Sequence, residues 1–587
     1  TTTQVEFDGT IYKFGQVTAE TDTVTIKSTD TDEAIDFTAG AAVTITGVGQ
    51  DIAGLNTTAG PAITFDTGTI MLANTTDLTI NSGGGAITIK GIRGTSSETV
   101  TLNANKSAGT ASATETISIG ADGIGSADQI GATGLAGDDG ITLAGSIVLA
   151  DSAGADLTIS DALYISGDVT LETDNTTNDG TITISSTIDG VSGGADDDLI
   201  ILAGDNDGDD TPGGSLTLSG VIGGSQALTT LDINQSAGNI SFTVPQVGSG
   251  GNAGVTGATR IGNAASGDII FSGANANAYN FGGALTVTSN GGAGAFQFTG
   301  ADPTLTAGGA VTFTEGNGTD DTLVLADLKD LTITTASANA NITLPNIDGT
   351  AGDGNDGTDL TLLAGTGNVS VKSIDNDIND LRIDGTTITL TGDITTAAHD
   401  PGSADAASID INGAAVIGAG ITLTSGNGTV DFSGAVNSDN GENRALTIVS
   451  GSGAAAINGT VGATDALGNL TINAAGTGAI TLSTVGADAA AGAAVLAIGN
   501  TDTSSLTLSG VDYHSAANAQ TYTADAFLIT GTDPTFTTAN AAIKFVDGAS
   551  SDIVLSDAAD LTIRTSNGLI DIEPEFIGTA DGDNTSV

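Results

Sequence analysis

Two short segments gather hard oxygen ligands on flexible backbone. "GDNDGDD" at 204–210 carries Asp205, Asp207, Asp209 and Asp210, and "GDGNDGTD" at 352–359 carries Asp353, Asn355, Asp356 and Asp359. Calcium takes about six to eight oxygens from carboxylates, carbonyls and water, and Gly-rich turns let carbonyls join the set. These eight residues are therefore candidate calcium ligands, and calcium is the one cofactor the sequence suggests. A third run, Asp196, Asp197 and Asp198 in "GGADDDL" at 193–199, offers the same ligand type. The competing reading is that Asp, Asn and Gly are simply what tight turns use.

Other chemistries find little support. There is no Cys, which removes disulfides, thiol catalysis and Cys-based zinc sites. His399 and His514 stand far apart and near no other ligand pattern, so they read as exposed turn residues. Acidic-polysaccharide lyases and hydrolases need basic residues, whereas Lys90, Arg93, Lys329, Lys372 and Arg382 are scattered singly. With 70 Asp and Glu, close carboxylate pairs arise by chance and mark no glycosidase site. The sequence predicts no enzyme. Its net charge of −58 repels nucleic acid and anionic membrane, attracts cations, and strains the compact state unless ions screen it.

The elements that must carry these residues are short strands. Runs such as "VTLET" at 169–173, "TITIS" at 181–185 and "ITLTS" at 421–425 alternate apolar and polar residues. Period-two alternation marks a half-buried strand, and about forty such runs occur. Strands this short need a partner on each edge, which stacking coil on coil supplies. The fold expected is all-β: a parallel β-helix (β-solenoid) with Gly/Asp-rich protruding loops. Coils of about 20–25 residues would give about 25 rungs. With aromatics at 3 %, the core is expected to be aliphatic. The alternative is a string of β-sandwich domains, because short strands with Gly turns fit those as well. The Ala-rich stretch 486–500 is the best helix candidate, but Gly breaks it, and it reads as a loop feeding a strand.

A longer period overlies the strands. The phrase Asp-Leu-Thr-Ile recurs at 77–80, 330–333 and 560–563. "GADPTLTAGGAVTFTEG" at 300–316 matches "GTDPTFTTANAAIKFVDG" at 531–548, and 223–244 matches 462–485. The order is kept, so a super-repeat divides the chain into copy 1 (1–268), copy 2 (269–505) and a partial copy 3 (506–587). Neither terminus shows a capping helix, so the ends are expected to stack on neighbouring copies or to belong to a longer array. "TTTQVEFDGT" at the start has no signal-peptide pattern, which fits a removed signal or a segment of a longer chain.

The runs at 457–482, 223–242 and 388–396 ("ITLTGDITT") resemble bacterial β-strand-repeat exoproteins, among them filamentous-haemagglutinin-like adhesins and related surface filament proteins. "GGADDDLIIL" at 193–202 is similar to the calcium-binding nonapeptide of RTX proteins, without its tandem repetition. The first resemblance implies an extracellular or cell-surface protein that forms an elongated rod, filament or adhesin stalk, and it transfers no site residues. The partners expected are further copies, end to end or side by side, and a cell-surface or polysaccharide contact. Nucleic acid and membrane insertion are not expected. A calcium-organised surface-layer or extracellular matrix protein is the second functional reading.

Overall fold

A computed structural model describes the strand backbones within residues 5–56 and most of residues 62–578, apart from connecting segments such as 204–213, 351–356 and 398–406. The chain forms two compact units, Thr1–Gly308 with Phe313–Asp321, and Gly309–Thr312 with Thr322–Val587. Each is a parallel β-solenoid with three strand columns.

In the first unit, one coil runs through the strands Leu157–Ile159, Leu163–Ile165 and Asp168–Glu172. The next coil repeats the path with Ile182–Ile184, Ile188–Gly190 and Asp198–Leu202, each strand pairing in parallel with its counterpart one coil earlier. The period-two alternation puts Leu157, Ile182, Leu216, Ile240, Ile269 and Phe296 in one register column, all fully buried. In the second unit the coil Ile421–Thr424, Asn427–Phe432 and Val436–Ser438 is built the same way. Its inward column includes Val430, Ala455, Ile480, Leu506, Phe527 and Ile553. A sandwich needs antiparallel sheets, and among the described strands only Asp51–Ile52 with Leu55–Asn56 pairs that way. The Ala-rich stretch ends in a strand, Ala493–Ile498.

Two expectations need correction. Coils are less uniform than predicted: Ile182 pairs with Leu216, a coil that accommodates the segment 204–213, while Ile374 pairs with Ile394. The core is also not purely aliphatic. In the first unit Phe271 and Phe298 stack at 4.7 Å, with Phe242 tilted against Phe271 at 5.4 Å and Tyr279 edge-on to it at 5.8 Å. In the second, Tyr513 stacks on Phe536 at 4.5 Å and Tyr522 on Phe545 at 5.0 Å. The few rings are concentrated in two ladders. Stacking one residue type at one register position repeats the same favourable offset contact on each coil.

Corners of like geometry occur in both units. Asn263 and Asn500 each accept a backbone N–H two residues on, from Ala265 (2.8 Å) and Asp502 (2.7 Å). Their own N–H groups donate to Ser266 Oγ and Thr503 Oγ1. Asp302 and Asp533, each before a Pro, both take positive φ (38° and 47°). Gly223 and Gly462 share φ of 64° and 63°, and an added Cβ would overlap the carbonyl oxygens of Gly254 and Gly492. Only glycine fits both the left-handed backbone and that approach.

Other corners are closed by buried or half-buried hydroxyls. Ser425 donates to the Gly428 carbonyl (2.7 Å), Ser450 to Gly453 (2.8 Å) and Thr565 to Gly568 (2.7 Å). The hydroxyl satisfies a carbonyl that the turn removes from the coil-to-coil ladder.

Candidate functional surface

The clearest polar constellation lies at strand entries. An outward residue just before the first inward one has a backbone N–H aimed at the preceding coil, and a side chain there accepts it. In the second unit the Asp359 N–H donates to Asp330 Oδ1 (3.0 Å), Asp380 N–H to Asp359 Oδ1 (3.0 Å), and Ser408 N–H to Asp380 Oδ1 (2.8 Å). Asp560 N–H likewise donates to Asp533 Oδ1 (3.2 Å), and Thr422 N–H, between the inward Ile421 and Leu423, to Asp393 Oδ1 (2.7 Å). In the first unit Thr181 N–H donates to Asp156 Oδ1 (2.7 Å). Asn239 and Asn341 do the same for Asp268 and Asn368. The recurring Asp-Leu-Thr-Ile phrase therefore has a mechanical meaning where it is described. At 330–333 Asp330 is the coil-to-coil acceptor, Leu331 and Ile333 point inward and Thr332 points outward, while at 560–563 the Asp560 N–H is the donor, to Asp533.

Three such carboxylates, Asp330, Asp359 and Asp380, form a ladder in the second unit. Beside it is a groove of about 310 Å³ lined by Asp359, Thr361, Asp380, Leu381, Arg382, Ser408 and Asp410. Burial pushes the Asp359 carboxyl up to about 6. The Asp380 N–H and Asn379 side chain oppose the rise, and the negative charges of Asp330 and Asp380 add to it. Arg382 forks onto Asp384 (2.8 and 3.3 Å), which holds its guanidinium more firmly protonated. Asp431 is raised by burial and by Asp410, and the Asn458 amide at 2.7 Å works against this. The arrangement can hold a proton on Asp359 and bind coils together. Its carboxylate oxygens face N–H donors rather than a common point.

The first unit carries a second acidic clamp. Asp197 is buried, and its two oxygens accept N–H from Gly167 (3.1 Å) and Val191 (3.0 Å), while its own N–H donates to Thr229 Oγ1 (3.1 Å). Asp189, also buried, accepts N–H from Ser225 (2.8 Å) and Gln226 (3.3 Å). Asp198 accepts from Thr230 Oγ1 at 2.6 Å. The run singled out in the sequence as a third oxygen-rich loop thus serves as a pin across successive coils.

Of the predicted calcium ligands, Asp205, Asp207, Asp209, Asp210, Asp353, Asn355 and Asp356 lie outside the described residues. Asp359 is described and belongs to the strand-entry ladder. Among the described residues no group of three or more His, Asp or Glu is placed to share a metal ion. His399 lies outside the described residues, and His514 sits half-buried on the strand Asp512–Ser515. Sequence reasoning missed the Asp330–Asp359–Asp380 ladder. The signal was present as an acid directly before an inward Leu at each position, but unequal coil lengths hide the alignment. No protein-family model matches this chain, and no match is found among curated proteins or solved structures.

Proposed function

We propose that this chain is a structural protein of the prokaryotic cell exterior, serving as the shaft of an extracellular rod, filament or adhesin stalk. The observation that carries the reading is how the described polar groups are used. Strand-entry carboxylates and buried acids bond coil to coil, and corner hydroxyls close the turns between strands, which is the economy of a structural element. Stacked parallel coils resist bending because each one is hydrogen-bonded to two neighbours along three columns. The surplus of 58 negative charges keeps such a shaft hydrated and well separated from anionic surfaces. Negative-stain microscopy tests the proposal: unbroken thin shafts or their polymers are expected, and compact globular particles would refute it. A calcium-organised lattice is the competing architecture, and chelator would disperse that lattice while leaving a shaft intact.

A further inference from the structure

Two corners, one in each unit, share their backbone bonds and differ in their polar side chains. In the first unit the corner 262–267 is followed one coil later by Ser289 and Asn290, and two coils later by Gly316. The Asn290 N–H donates to the Ser266 carbonyl (2.7 Å) and the Gly316 N–H to the Ser289 carbonyl (2.6 Å). In the second unit the corner 499–504 is followed by Ala524 and Asp525, and then by Gly548. There the Asp525 N–H donates to the Thr503 carbonyl (2.8 Å) and the Gly548 N–H to the Ala524 carbonyl (3.1 Å).

The second corner holds fewer hydrogen donors and one more charge. Ser289 Oγ donates to the Gly267 and Ser266 carbonyls (2.8 and 3.3 Å), whereas Ala524 brings no donor to the same place. Asn290 carries an amide that can donate, whereas the Asp525 carboxylate only accepts. Asp525 is half-buried, and its Oδ1 is closed off from solvent without a hydrogen-bond partner. Lys544, on the adjoining strand Ile543–Asp547, is held by Asp571 at 3.5 Å. A buried carboxylate oxygen with neither donor nor cation is costly, and in a native fold such an atom points to a water or an ion.

The orphaned oxygen has company. An added Cβ at Gly548 would overlap Asp525 Oδ1 and meet the Thr501 carbonyl oxygen at 3.1 Å. A carboxylate oxygen from one coil and a main-chain oxygen from the coil before thus border the space that a glycine of the coil after leaves open. At Gly316 the same space is bordered by the Ala264 and Ser289 carbonyl oxygens, both at 2.8 Å, and by no carboxylate.

We propose that the Asp525 corner binds a calcium ion, with Asp525 Oδ1 and the Thr501 carbonyl as protein ligands and water completing the shell. Calcium accepts mixed oxygens in irregular geometry, while magnesium demands a near-octahedral set. One carboxylate with main-chain oxygen is a different donor set from a group of three acids, which the described residues do not form. The ion ties successive coils of a single chain and requires no lattice. A single carboxylate places the affinity in the weak range, about 10⁻⁴–10⁻³ M.

Hydrogen exchange on the 587-residue chain tests the site, with about 5 mM calcium compared against chelator at matched ionic strength. In the wild-type chain calcium should slow exchange of the Asp525 and Gly548 amides at least about fivefold, the factor 1 + [L]/Kd for a Kd of about 10⁻³ M. Asp525→Asn supplies the residue type of the first corner, so the fold is kept and the response should vanish. Calcium held elsewhere in the chain would act on both forms alike. Ser289→Ala combined with Asn290→Asp gives the first corner the side chains of the second, and should create a calcium response at residues 290 and 316. An equal response in Asp525→Asn overturns the proposal, as does a doubly substituted first corner that ignores calcium. A wild-type chain whose Asp525 and Gly548 amides ignore calcium also overturns it, and leaves Oδ1 facing ordered water only.

Discussion

Replacing Asp359 with Asn should stabilise the second unit at neutral pH and change little near pH 4. Asp359 is an uncomfortable anion: it is half-buried, and Asp330 and Asp380 flank it on adjacent coils. Its carboxyl rises from 3.8 to about 6 in the fold. Protonation therefore favours the folded state. The penalty is absent below about pH 3.8, grows as the pH climbs through the window from 3.8 to about 6, and is constant above it. Taken at face value the shift is worth about 3 kcal/mol, at about 1.4 kcal/mol per pH unit. Solvent reaches the group, so screening reduces this to about 1–1.5 kcal/mol. Asn keeps an oxygen for the Asp380 N–H and removes the charge. Urea unfolding and hydrogen exchange across residues 358–384, at pH 4 and pH 7, measure the difference. A variant that is destabilised at pH 7, or that gains equally at both pH values, would refute the reasoning.

Four other substitutions test the corners and the coil-to-coil bonds. Asp197→Ala should cost about 2–4 kcal/mol in denaturant unfolding, because the Gly167 and Val191 N–H groups lose a buried carboxylate; a loss below about 1 kcal/mol would show the clamp to be dispensable. Gly462→Ala should destabilise by at least about 2 kcal/mol through its positive φ and the overlap with the Gly492 carbonyl, and Gly223→Ala should match it if the two corners are equivalent. Tyr513→Phe leaves the Gly510 N–H (2.8 Å) and Leu482 carbonyl (3.1 Å) without the phenol oxygen and should cost about 1–3 kcal/mol, read as faster exchange of the Gly510 amide.

The architecture was legible because it depends on short-range alternation. "LTI" at 157–159, "ITI" at 182–184 and "LTL" at 216–218 each announce two inward residues and one outward residue, and all three sit in one column. The glycines that open the segments 223–244 and 462–485, Gly223 and Gly462, share one backbone conformation and one close carbonyl approach. Aromatic ladders were not legible, because composition counts rings without saying where they stand. Phe271 and Phe298 are one coil apart, and nothing local to either residue marks the other as its neighbour.

The carboxylate ladder shows why a site in a solenoid is harder to read than its fold. A strand declares itself within four residues, but a column is assembled from residues one coil apart, and the coil length drifts. Asp359 lies 29 residues after Asp330, while Asp380 lies only 21 after Asp359. Counting by a fixed period would align Asp330 with the wrong partner within two coils. What stays constant is the local context, an acid immediately before an inward Leu, in Asp330-Leu331, Asp359-Leu360 and Asp380-Leu381. Reading that dipeptide as a strand-entry mark also changes the meaning of the acidic composition. Some of the carboxylates are backbone acceptors, charge-assisted and stronger than neutral ones, and they occupy the place where a strand begins and its first N–H has no partner strand beside it. The negative charge is then partly a consequence of how coils are joined. A protein built this way draws its coil-to-coil bonding and much of its negative surface from the same residues.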